Sequence, residues 1–141
     1  MTDATARPII VHAAEDAEAA CRAAAELGVP LFLVSGPAAG LYAGAGWFRE
    51  VVRRAAQPYP DLPVTAALDC ADQAGVAAEA LGSGVDAVLF SGRPDVAEKL
   101  RAIAAQIGAA LHTSLPPGLD LRGRRDPVEA CRRWLAGNLN G

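Results

Sequence analysis

The amino-acid sequence predicts a single α/β domain of about five βα units built on an all-parallel sheet. Three observations predict it. Apolar runs of strand length alternate with Ala-rich or amphipathic stretches of helix length along most of the chain. The runs are nearly continuous in apolar residues instead of alternating with polar ones, as expected of parallel strands covered on both faces or closed into a barrel. A chain of 141 residues that is 52% hydrophobic and 21% charged can bury one substantial core but is short of two ordinary domains.

Each element has its own signal. Residues 7–12 (RPIIVH) read as the first strand, and 15–27 as an Ala-rich helix halted at Gly28, a good left-handed cap. The second strand is 29–34 (VPLFLV). The Gly- and Ala-rich stretch 36–46, with Tyr42 inside it, is expected to be a flexible flap over the strand ends. A helix over about 47–56 then stops at Pro58, Tyr59 and Pro60. The third strand is 62–68, the third helix 72–81 with Asp72 as its N-cap, and the fourth strand 85–90. Pro94 sits in the first turn of a helix running to about 107, where a missing amide donor is tolerated. A short fifth strand, 109–112, is followed by the break at Pro116 and Pro117, and Asp126 with Pro127 opens a last helix ending near Gly137.

Five apolar runs end at polar residues: His12, Ser35, Asp69 with Cys70, Ser91 and His112. Right-handed crossovers bring these ends to one sheet edge, where α/β folds place their ligands. Two strand orders satisfy the pattern, the sequential order of a half-barrel and the 2-1-3-4-5 order of a flavodoxin-like sheet. An internal echo, GVPLFLVSG at 28–36 against GVDAVLFSG at 84–92 with Asp16 matching Asp72, fits regular stacking of βα units.

Charge and cysteine usage narrow the class. A net charge of −3 and a pI near 5.3 argue against nucleic-acid binding by phosphate neutralisation. No apolar stretch approaches the roughly 20 residues that cross a bilayer, and residues 1–7 lack the build of a secretion signal, so no membrane association and a cytoplasmic location are expected. Three cysteines without metal-ligand spacing are not a disulfide framework. Cys21 and Cys131 read as core residues and Cys70 as a candidate nucleophile. Gly44-Ala45-Gly46 fails the dinucleotide fingerprint at Arg49, and Gly36-Pro37-Ala38-Ala39-Gly40 lacks the Lys and Ser/Thr of a P-loop, so no cofactor is expected.

The remaining polar groups suit an anionic small molecule. Ser35-Gly36 and Ser91-Gly92 offer hydroxyls and backbone amides near helix starts, and Arg93 adds a positive charge. Asp69, His12 and His112 are the acid/base candidates. In a flat sheet of sequential order the two histidines stand roughly 19 Å apart, so no shared metal ion is expected.

Residues 63–92, PVTAALDCADQAGVAAEALGSGVDAVLFSG, resemble the central βα units of (βα)8-barrel aldolases and related phosphate-handling barrels. The resemblance implies Asp69 at the catalytic face and Ser91-Gly92 near a phosphate. The one lysine, Lys99, falls inside the fourth helix, leaving Schiff-base chemistry without its nucleophile. A comparison with response-regulator receivers matches Asp69 and Ser91 at strand ends and Glu15-Asp16 after the first strand, with His112 where receivers carry a lysine.

The expected function is therefore binding or transformation of a phosphorylated or carboxylated small metabolite at the C-terminal edge of the sheet. The alternatives are a non-enzymatic module that assembles with itself or a partner, and a degenerate receiver-like domain. The sequence leaves catalysis open. A homodimer is expected, because Leu41, Tyr42, Trp47 and Phe48 cluster after the second strand.

Overall fold

The computed structural model describes residues 7–137. The reading of the N-terminus as free of a secretion signal falls almost wholly on residues 1–6, outside the described residues. In chain order the elements are β1 (Pro8–Val11), α1 (Ala14–Leu27), β2 (Leu31–Ser35), α2 (Ala39–Tyr42), α3 (Gly44–Ala56), β3 (Val64–Asp69), α4 (Ala74–Gly82), β4 (Ala87–Leu89), α5 (Pro94–Gln106), β5 (Ala110–His112), β6 (Leu119–Asp120) and α6 (Pro127–Leu135). Gly28 caps α1 at φ 68°. Asp126 caps α6, its side chain accepting from the Glu129 amide at 3.1 Å.

All strand pairs are parallel, and the sheet order is β5-β4-β3-β2-β1-β6. The first five strands therefore follow one another as in a barrel, and the flavodoxin-like order does not occur. The faces of the sheet agree with this. Ile9, Val11, Leu31, Leu33, Ala66, Leu68, Val88, Phe90 and Leu111 pack with the helices in one core. Phe32, Val34, Ala67 and Ala87 form a second core with Ile10 and Leu115. Helices thus cover one face only, and residues 113–118 cover the other.

Register shows why the sheet curls. Leu119 pairs with Ile9, Ile9 with Leu33 and Leu33 with Ala66, whereas His112 pairs with Leu89 and Leu89 with Asp69. On a flat sheet the ends of β5 and β6 would lie five strand spacings and three residues apart, roughly 26 Å. The chain from His112 to Leu119 reaches at most roughly 25 Å when fully extended, and Pro116 and Pro117 within it shorten that reach. A flat sheet is excluded. Accordingly the rings of Phe32 on β2 and His112 on β5 come within 5.7 Å of each other, although β3 and β4 lie between them. The small inward residues Ala67 and Ala87 leave the room that this curvature requires.

β6 has no place in the five-strand expectation. Its signal is the alternation Leu119-Asp120-Leu121, with both leucines buried, too short to stand out from the Pro- and Arg-rich surroundings. The flap expected over 36–46 is also corrected: α2 and the first turn of α3 occupy it, because Ala-rich sequence propagates helix despite its glycines. Cys21 and Cys131 are fully buried where α1 packs on α6, and burial pushes their thiols up to about 11 and about 12. Among the described residues no helix is long and apolar enough to cross a membrane.

The 113–118 strap ends in a contact that admits no side chain. A Cβ on Gly118 would lie 2.9 Å from the Pro8 carbonyl oxygen, whereas one on Gly46, within α3, would meet nothing within 4 Å. We expect Gly118→Ala to lower the stability read from a urea midpoint by about 1–3 kcal/mol, and Gly46→Ala to leave it unchanged or raised.

Candidate functional site

Parallel pairing in sequential order sets the ends of β1 to β5 along one edge, and the strap passes over them. Between the two lies a cleft of about 280 Å³. Its apolar floor is Ile10, Val34, Leu89 and Leu115, and Ser35, Asp69, Ser91, Thr113 and Ser114 supply polar groups. Among the described residues no Lys, Arg or His lines it, and Asp69 is the one charged group that does.

Asp69 is held by its neighbours. Its amide donates to Ser35 Oγ at 2.9 Å, and its Oδ1 accepts from the Ala71 amide at 2.9 Å. No described residue donates to Oδ2. Ala71 adopts φ 51° and Ala38, after β2, φ 60°, a left-handed conformation costing a non-glycine residue about 1–2 kcal/mol. The loops following β2 and β3 are thus both strained within two residues of the cleft-lining Pro37 and Asp69. The Ser91 amide donates to the Ala71 carbonyl at 2.8 Å, which couples the end of β4 to the Asp69 loop.

Several sequence candidates serve the scaffold instead. Ser35 is buried, its hydroxyl donating to the Gly36 carbonyl at 3.2 Å while accepting from Asp69. It clasps β2 to β3 and has little capacity left for an anion. Removing that hydroxyl would orphan the Asp69 amide, a loss of about 1–3 kcal/mol. Gly36 is required by the His12 ring, whose Nδ1 would stand 2.7 Å from an added Cβ, and Gly92 is required by the Phe90 ring. Cys70 is fully buried, and burial, with the Asp69 charge adding to it, pushes its thiol up to about 11. Burial and the raised pKa leave this thiol without the thiolate character a nucleophile needs. Asp72 does not cap α4, whose N-cap is Gln73 without a side-chain bond; its Oδ1 accepts from the Gln73 side chain.

The two histidines diverge. Neither lines the cleft. His12 Nε2 donates to Asp120 Oδ1 at 2.7 Å, Nδ1 faces Arg122 Nη2 at 3.4 Å, and its amide donates to Asp16 Oδ2 at 2.8 Å. Burial works to raise the Asp120 carboxyl, but bonds from the Arg122 amide and the His12 ring outweigh it and hold it below its ordinary value. This cluster latches β6 to β1. Neither Asp120 nor Arg122 is marked by local sequence, since their meeting with His12 depends on β6. His112 lies in register with Leu89 and Asp69, partly buried against Phe32. Arg93 stands exposed beside Ser91 and donates to both carboxylate oxygens of Asp95, at 3.1 and 2.9 Å. Such a solvent-facing pair is worth about 0–1 kcal/mol and yields readily to a ligand.

At the opposite edge, a cleft of about 190 Å³ is lined by Arg49, Arg53 and Asp86. There Asp86 accepts from the Ala66 amide, and burial raises its carboxyl. Among the described residues no three metal-ligating side chains cluster.

No protein-family model and no curated protein matches this chain. Among solved structures, it is similar to the crystal structure of a "putative fructose-1,6-biphosphate aldolase" from Coccidioides immitis, with a TM-score of 0.62 and 24% identity over 77% of this chain and 40% of that one. The chain thus spans less than half the length of that structure, and the likeness is one of fold: an aldolase-like barrel, in part. The resemblance carried by residues 63–92 agrees with it.

Burial lowers the pKa of His112 below 6.5, and the Arg101 charge lowers it further. The unfolded chain then binds this proton more readily than the folded one, so the histidine's contribution to stability is complete above pH about 6.5 and is lost as pH falls towards the depressed value. We expect chemical-denaturation stability to drop as pH falls below about 6.5, with a shallower drop in His112→Gln.

Proposed function

We propose that this chain binds a small phosphorylated or carboxylated metabolite at the strand-end cleft, its body between the strand ends and the 113–118 strap. The observation carrying the reading is Asp69, with one oxygen lacking a described donor, facing a cleft at the edge where parallel α/β folds take ligands. The carboxylate repels an anion from the interior. The ligand's anionic group therefore belongs at the rim, on Ser91, Gly92 and Arg93, where α5 begins and its dipole assists. The aldolase-like neighbour, named for a phosphorylated sugar, supports that ligand class.

Asp69 is the acid/base group of this reading. His112 occupies the same register row but lies outside the cleft lining, and takes no acid/base step in this reading. Asp69→Asn keeps the acceptor for the Ala71 amide while removing the charge. Screening phosphorylated and carboxylated metabolites by calorimetry, we expect the variant to bind a hit at least about tenfold more weakly, or to lose turnover, with the melting temperature within a few degrees of wild type. Unchanged affinity would remove Asp69 from the site.

A second reading, a self-associating module, is favoured by Leu41, Tyr42 and Trp47, which are 47%, 72% and 37% exposed around α2 and the start of α3. It expects sedimentation at high micromolar concentration to give twice the chain mass of 14.5 kDa, and Tyr42→Glu to restore the monomer. A wild-type monomer rejects it.

A further inference from the structure

Resting on the cleft reading above, we infer that the ligand offers a cationic nitrogen to Asp69 as well as an anion to the rim, making it a small phosphorylated or carboxylated amine. The cleft interior pairs one carboxylate with apolar Ile10, Val34, Leu89 and Leu115 and with hydroxyls from Thr113 and Ser114. Oδ1 is occupied by the Ala71 amide, and Oδ2 takes no bond from a described residue. A ligand entering this space strips water from Oδ2. A hydroxyl on the ligand repairs that loss in part, whereas an anionic or apolar body leaves a desolvated charge unpaired, at high cost. An ammonium group supplies donors and opposite charge together, in surroundings where low polarity strengthens their attraction. The volume, about 280 Å³, lies below the usual range for drug-sized ligands and suits a molecule of few atoms. Asp69 lies inside at the end of β3, and Arg93, two residues beyond the lining Ser91 and held by the exchangeable pair with Asp95, follows the end of the neighbouring β4, the order of charges a zwitterion needs.

Two probes separate the claims: O-phosphoethanolamine, and glycerol 3-phosphate as a phosphate ester without the amine. Both are titrated into the full chain at low ionic strength, followed by calorimetry and by amide chemical shifts. We expect the amine to bind at least about tenfold more tightly, the effect of one charge-assisted hydrogen bond, with shifts at Asp69, Ser91 and Thr113. The ratio should fall to about one in Asp69→Asn, and Arg93→Gln should weaken both probes by a similar factor. Equal affinities in the wild-type chain, or a preference that persists in Asp69→Asn, overturn this inference and leave the cleft reading standing. Binding of neither probe, without shifts at the cleft, overturns both. The wild-type ratio and the mapped shifts decide the matter even if a variant folds poorly.

Discussion

The reach of residues 113–118 governs the architecture. A connection this short between the two outermost strands of a six-stranded sheet is possible only if the sheet bends until its edges approach. Bending sorts the side chains. The convex face gains area and takes the helices with most of the large aliphatic residues, while the concave face loses area and tolerates Ala67 and Ala87 on its central strands. In a complete barrel the remaining strands would close that concave side. Here Leu115 and its neighbours close it, so that an apolar inner face of limited area is sealed by one segment of chain, and the strand ends beneath that segment become the walls of a cleft.

Polar groups at the strand ends are largely spent on one another. Ser35 links the ends of β2 and β3, the Ala71 carbonyl receives the Ser91 amide from the end of β4, and the Cys70 amide donates to the Leu89 carbonyl at 2.9 Å. His12, Asp120, Arg122 and Asp16 do the same between β1 and β6. Buried polar groups without partners are costly, so a network of this kind is what allows loops to be drawn so close to an apolar interior. Among the described residues, Asp69 Oδ2 and the Ser91 hydroxyl stay outside this network. Strain in the same loops, at Ala38 and Ala71, is held by the surrounding bonds and keeps both loop backbones in a fixed course beside the cleft.

The helical layer is built for close approach. Ala17, Ala20, Ala23 and Ala24 are fully buried along one side of α1, so α1 lies low on the sheet and against α6 with little side chain between. At the surface, Arg132 of α6 donates to Glu26 of α1 at 2.7 Å, a solvent-screened pair that orients the two helices more than it stabilises them. Exposed Leu41, Tyr42 and Trp47 stand apart from this economy of small residues.

Much of the scaffold was legible from sequence by itself, because strand and helix periodicity, Gly28, Pro94 and the Asp126-Pro127 pair act through local backbone geometry. The parallel pairing and shared edge followed from the handedness of crossovers, which is also local in origin. The strand order, β6 and the curl were not legible, since they depend on where one edge of the sheet meets the other. The same division explains the site. Ser35 and Ser91 occupy equivalent positions in the echoed runs GVPLFLVSG and GVDAVLFSG, yet Ser35 is buried between two strands that both continue to the edge, and Ser91 follows a shorter strand and stands exposed beside the cleft. Sequence determined that each of these two runs would end in a hydroxyl. Only the tertiary structure decided which hydroxyl the scaffold would consume, because that depends on whether a neighbouring strand brings an unpaired amide within reach of it.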